Sequence, residues 1–240
     1  MNIKRLQGIL STLDAVGIGS LIFAPEGDGC RIRGIDKDHQ VLIFHYLDEP
    51  LVEKPMAIQT VKGLLTRLNL FDIDKASVNI EYNDKMATSL QIKMGRKKAG
   101  FTFVRPESLP VPQVIPMSEE TIDPILLSEE YVEHLSSVIS AMAYTGDKKE
   151  RYLSIEVNDD RECTLSVFDG EDDSYVDEIL NAGSHEPIRC SWDVPAFNLV
   201  MKNSMKMDEE KIARLTISEY GVATFSLGDM VAMVSPLSTS

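Results

Sequence analysis

Apolar residues recur along this chain with two periods, and the two alternate in the same order twice. Ile3, Leu6, Leu10 and Leu13 fall three or four residues apart and stop at Gly17 and Gly19, which predicts a helix from Asn2 to about Ala15. Val132, Leu135, Val138, Ile139 and Met142 repeat that spacing before Gly146, behind Ser128 as N-cap and the carboxylates Glu129 and Glu130, which suit a helix N-terminus. Strand-like runs follow each helix: 20–24, 30–35 and 40–47 in the first case, and 151–157, 162–168, 174–179 and 187–192 in the second. A proline then opens a second helix in each. Pro55 precedes Ile58, Val61, Leu64, Leu65 and Leu68, and Pro195 precedes Phe197, Val200, Met201 and Met205. Three alternating strands close each half, at 77–82, 88–94 and 100–104, and at 213–218, 221–226 and 230–234.

Between the two copies lies Leu109-Pro-Val-Pro-Gln-Val-Ile-Pro116. Proline fixes φ, lacks a backbone donor and keeps its preceding residue out of the helical region, so this segment reads as an extended connector. The expected organisation is a first domain at 1–108, a connector at 109–117 and a second domain at 118–240, each long enough for its own core. The class is α+β: helix pairs with antiparallel strands, in tandem.

Charge sharpens the picture. The net formal charge is −14, which opposes binding to nucleic acid if spread evenly. It is not spread evenly. Met1 to Ile115 hold fifteen Lys and Arg against thirteen Asp and Glu, a net of +2, whereas Pro116 to Ser240 hold nine against twenty-five, a net of −16. Within this asymmetry, Lys54, Lys62 and Arg67 have no acidic residue among them up to Phe71, and Lys202 and Lys206 are alone between Val194 and Met207. These windows are the two second helices. Their remaining non-apolar positions are small and uncharged, as a surface that meets a polyanion requires. The first helix adds Lys4 and Arg5, with Asp14 as its one acid. The helix at 128–144 carries Glu129, Glu130 and Glu133 and no cation.

Candidate chemistry is sparse. No phosphate-binding glycine loop, dinucleotide fingerprint, zinc-protease helix or nucleophile elbow is present, and His39, His45, His134 and His185 are solitary, so no catalytic residue is assigned and an enzyme is not expected. The tip Asp169-Gly-Glu-Asp-Asp173 lacks the ligand spacing of a calcium loop and reads as an acidic turn, with no metal and no cofactor expected. Gly95-Arg-Lys-Lys-Ala-Gly100 suits either a solvated hairpin tip or a contact with DNA. Cys30, Cys163 and Cys190 are odd in number and widely spaced, which suggests buried thiols in a reducing cytoplasm. Neither a signal peptide nor a membrane-crossing run is visible.

With these features in hand, the chain resembles the DNA polymerase sliding clamps. It looks closest to the two-domain clamps of T-even-like phages, with proliferating cell nuclear antigen more distant. The residues that carry the resemblance are Ala57 to Leu65 leading to Leu68, Phe197 to Met207, and the strand pair from Gly221 to Val234. The resemblance implies two tandem clamp domains, each with two helices on antiparallel sheets, and a head-to-tail homotrimeric ring threaded by duplex DNA. It implies a processivity factor that slides without sequence preference and tethers DNA polymerase and other replication proteins, opened by a separate clamp-loader ATPase. Lys4, Arg5, Lys62, Arg67, Lys202 and Lys206 would line the pore, and partner peptides would dock at Val111, Val114, Ile115, Pro236 and Leu237. Two other readings remain open: an acidic tandem-domain assembly protein that never meets DNA, and a hydrolase using Asp169, Asp172 and Asp173.

Overall fold

Two of the helices begin where a short polar side chain takes up an orphan backbone N–H. Asn2 accepts from Arg5 N at 3.1 Å and starts α1 (Ile3–Ala15), and Asp193 accepts from Ala196 N at 3.0 Å and starts a later helix, α4 (Val194–Met207). In the computed structural model the described residues are 2–113, 124–142, 151–160, 162–169, 173–179 and 188–237, with the backbone alone for 169 and 173–179. The chain divides into two compact units, Met1–Ile115 and Pro116–Ser240.

In the first unit α1 is followed by β1 (Ile18–Glu26), β2 (Gly29–Asp36), β3 (Val41–Leu47), β4 (Met56–Ile58), α2 (Val61–Leu68), β5 (Ser77–Tyr82), β6 (Ala87–Met94) and β7 (Lys97–Thr102). Its strands lie in the orders β4-β1-β2-β3 and β5-β6-β7, antiparallel throughout. The second unit runs β8 (Ile125–Ser128), α3 (Glu129–Met142), β9 (Arg151–Val157), β10 (Cys163–Asp169), β11 (Asp173–Ile179), β12 (Ile188–Asp193), α4, β13 (Ile212–Ile217), β14 (Ala223–Leu227) and β15 (Met230–Val234). Here the orders are β12-β9-β10-β11 and β8-β13-β14-β15. Helix, four strands, helix, three strands is therefore one plan used twice. The strand order β4-β1-β2-β3 maps onto β12-β9-β10-β11, and β8 is the addition peculiar to the second unit.

Packing follows from the apolar spacing. Leu6, Ile9, Leu10 and Leu13 of α1 and Val61, Leu64, Leu65 and Leu68 of α2 are buried, each such side chain contributing roughly 1.5–3 kcal/mol against exposure. In the second unit Trp192 is fully buried, its ring centre 5.3 Å from that of Phe197, which in turn meets Phe225 edge-on at 5.1 Å. The Trp192 indole N–H donates to Gly221 O at 2.9 Å. Gly221 has φ +75, and a Cβ there would come 3.0 Å from Cys190 Sγ, so the turn that presents this carbonyl needs glycine.

The fold differs from expectation at four places. Pro55 opens no helix: Met56, Ala57 and Ile58 pair with Phe23, Ile22 and Leu21 as β4, and α2 starts only after Thr60. The apolar residues of β4 continue the helical spacing by coincidence, while their backbone groups are taken up by β1. The hairpin tip expected over 95–100 is shorter than that. Met94 pairs with Lys97, leaving Gly95, at φ +59, and Arg96 as a two-residue hairpin turn, so Lys97 and Lys98 belong to β7. Strand β8 was not anticipated, since four residues behind a proline-rich segment carry almost no periodicity. Val111, expected as an exposed peptide contact, is buried with Ile22, Ile35 and Ala57 in the core of the first unit.

Candidate nucleic-acid interface

In both units two helices pack side by side and leave one face each to solvent. Gln7 on α1 donates to the Asn69 carboxamide oxygen at the end of α2 at 2.6 Å, and Ser136 on α3 donates to Asn198 on α4 at 2.9 Å. The buried stripe of each helix is apolar, so the helix sequence decides what the opposite face offers. On α2 it is Lys62, Thr66, Arg67 and Asn69, all exposed; on α4 it is Asn198, Lys202, Asn203 and Lys206, half-buried except for the exposed Lys206. Neither face holds a carboxylate.

The cations on these faces are not alike. Lys62, Lys202 and Lys206 have no carboxylate partner among the described residues. Arg67 is held by its own helix and the neighbouring sheet, donating to Gly63 O at 2.7 Å with its guanidinium carbon 5.4 Å from the centre of the Phe101 ring. That arrangement stiffens the side chain and leaves its charge uncancelled. Lys4 and Arg5 differ: Lys4 Nζ lies 2.7 Å from Asp74 and Arg5 Nε 3.2 Å from Glu49. Asp74 raises the Lys4 pKa through its hydrogen bond and charge. The field from α1 is thus partly neutralised at home. On α3 the exposed face begins with Glu129, Glu130 and Glu133 and continues through Ser137 and Ser140, whose hydroxyls donate to Glu133 O at 2.9 Å and Ser136 O at 2.7 Å. Anions are confined to its first turns.

Structural comparison decides the fold. The proliferating cell nuclear antigen of Thermococcus kodakaraensis superposes with a TM-score of 0.61 at 13% identity, over 99% of this chain and 98% of that one. The clamp fold is present here from end to end. The beta subunit of the Streptococcus pyogenes DNA polymerase gives a TM-score of 0.65 at 12% identity, and this chain, matched over 97% of its length, spans only 64% of that protein. The A. fulgidus clamp bound to the C-terminal region of FEN-1 gives 0.57 at 13% identity, over 98% and 96%. No protein-family model matches the chain, and no curated protein matches it by sequence.

Around the clamp fold's other surfaces, Leu237 N donates to Ser191 O at 2.7 Å, which lays the C-terminal segment against β12 and leaves Pro236 and Leu237 half-buried. Val114, Ile115 and the acidic tip at Gly170–Asp172 lie outside the described residues, as does His185. Cys30, Cys163 and Cys190 are free and buried, and burial pushes each thiol up to about 11. Among the described residues no group of three or more His, Cys, Asp or Glu could hold a metal, and no helix is long and apolar enough to cross a membrane. The paired state of Lys4 and Arg5 is what sequence reading missed, because Asp74 and Glu49 are far away in the chain.

Proposed function

We propose that this chain is a DNA polymerase processivity factor whose copies close head to tail into a homotrimeric ring around duplex DNA. The observation that carries the reading is a shared one: in a chain of net charge −14 with a clamp fold throughout, the exposed faces of α2 and α4 hold Lys62, Arg67, Lys202 and Lys206 with no carboxylate between them. Such faces turned to a central channel attract phosphate from every direction. Contacts of that kind carry no sequence information, so the duplex can slide. The acidic remainder repels duplex from outside, and attachment comes from enclosure instead of grip. Lys4 and Arg5 would contribute a weaker field from the same faces, and the acidic start of α3 would leave the channel potential uneven.

The chain holds no ATP-binding motif, so opening falls to a separate loader ATPase. Partner peptides, as in the FEN-1 complex of the A. fulgidus clamp, would dock at Pro236 and Leu237 and at the connector residues Val114 and Ile115, while Val111, buried with Ile22 and Ile35, is left out of that contact. The protein acts as a tether and catalyses nothing itself.

The test is polymerase extension on a primed circular template with this protein, a loader and ATP. Long products should appear with the wild-type chain and fall to the clamp-free length with K62E/R67E/K202E/K206E. Undiminished stimulation by that variant would overturn the assignment of the channel.

A further inference from the structure

The β6–β7 hairpin carries charge that the channel reading leaves unused. From Lys85 to Pro106 there are six Lys and Arg and not one Asp or Glu, in a chain of net charge −14. Lys93, Arg96, Lys97 and Lys98 sit towards the tip. The other two stand at the open end, Lys85 just before β6 and Arg105 just after β7, and both line a groove of about 690 Å³. That is a usual size for a binding site.

The groove has an apolar floor and pinned walls. Met86 is buried, and Pro55 and Pro106 in the same lining are half-buried. One wall is the turn at Asn83, whose N–H donates to Met86 O at 3.0 Å and whose carboxamide oxygen accepts from Lys85 N and Met86 N, each at 2.8 Å. The other is the helical turn Pro106–Ser108, where Ser108 N and Oγ both donate to Arg105 O, at 2.9 Å and 2.7 Å. Phe103 N donates to Thr88 O at 2.9 Å, which carries the hairpin ladder past β7 and brings the walls together. Little order remains to be lost when a ligand enters.

Lys85 and Arg105 are exposed and have no carboxylate partner among the described residues; Glu107, the one acid in the lining, is bridged to neither. The ligand must therefore bring its own negative charge. Among the described residues no aromatic ring lines the groove, so a nucleic-acid base finds no platform to stack on. A phosphate alone would leave Met86 and the two prolines uncovered. We infer that this groove docks an extended peptide of a partner protein in which an apolar side chain is followed by carboxylates. The apolar side chain covers Met86, Pro55 and Pro106, and the carboxylates meet Lys85 and Arg105. All of the lining belongs to the first unit, and none of it is assigned above to the channel or to the contact at Pro236 and Leu237, so the inference stands apart from both.

The experiment is fluorescence anisotropy on the full-length chain with a labelled peptide holding one leucine followed by two aspartates between glycine-serine flanks. Wild type should bind it below about 1 mM, and at least about tenfold more tightly than the same peptide with asparagine for aspartate. K85E/R105E should lose that preference with unchanged circular dichroism, whereas E107Q should bind the aspartate peptide about two- to threefold more tightly. Serine in place of leucine should weaken binding to wild type. No binding below about 1 mM, equal binding of the aspartate and asparagine peptides, indifference to the leucine, or a preference that survives K85E/R105E would overturn the inference. Binding of an oligothymidine strand that falls in K85E/R105E would reassign the groove to single-stranded nucleic acid and overturn it too. None of these results bears on the ring, which the polymerase assay tests separately.

Discussion

Replacing Trp192 with Phe removes one buried donor and part of one ring, and the structure sets the cost of both. The indole N–H is the group shown hydrogen-bonded to the Gly221 carbonyl, at 2.9 Å, and both residues are buried, so Phe leaves that oxygen without its partner. An unsatisfied buried acceptor costs about 1–3 kcal/mol. The smaller ring also leaves a gap beside Phe197, worth about 1 kcal/mol. Together these lower the stability of the second unit by about 2–4 kcal/mol, a large share of the roughly 5–15 kcal/mol typical of a domain. Trp192 is the one tryptophan of the chain, so its emission reports on the second unit in wild type and is lost in the variant. Urea unfolding of both should therefore be followed by far-ultraviolet circular dichroism, with wild-type fluorescence identifying which transition belongs to that unit. The midpoint of that transition should fall and the other should stay. A loss below about 0.5 kcal/mol would mean that water or a shifted backbone satisfies Gly221, and the account of this core would be wrong.

Two further outcomes follow from the same coordinates. The three buried thiols have their pKa raised to about 11 by burial, above the usual value for a free thiol, so the folded state disfavours the thiolate. Stability is then fully present below about pH 8.5 and declines as pH rises towards 11; C30A/C163A/C190A should flatten that decline in a pH series of thermal melts, and an unchanged slope would refute it. Asp193→Ala removes the N-cap of α4 and should cost about 1 kcal/mol in urea titration, with Asp193→Ser restoring most of it; equal losses in both would point to something other than the cap.

Most of the plan was legible because both copies obey the same local rules. Helices α1 and α3 could be placed from the three-and-four spacing, with Ser128 as the cap of α3 written a few residues from its stripe. The strand β15 was placed to the residue. What escaped notice depends on partners distant in sequence. Met56 to Ile58 are strand because β1 takes up their backbone groups, and Val111 is core because Ile22 and Ile35 meet it. The same holds for charge. The bare cations of α2 and α4 were visible as a run without acids, but the neutralisation of Lys4 by Asp74 and of Arg5 by Glu49 is a tertiary fact. Arg96, Lys97 and Lys98 were ambiguous until the hairpin register put two of them on a strand with a free edge.

Enclosure of duplex by this protein can be measured through topology itself. After loading onto nicked circular DNA by a clamp-loader ATPase and removal of the loader, the chain should stay bound through gel filtration in salt that abolishes ordinary phosphate contacts. A single restriction cut should then release it from the linearised DNA. Equal retention on circular and linear DNA, or loss from the circle as soon as salt is raised, would contradict the claim that the DNA is held by a closed ring.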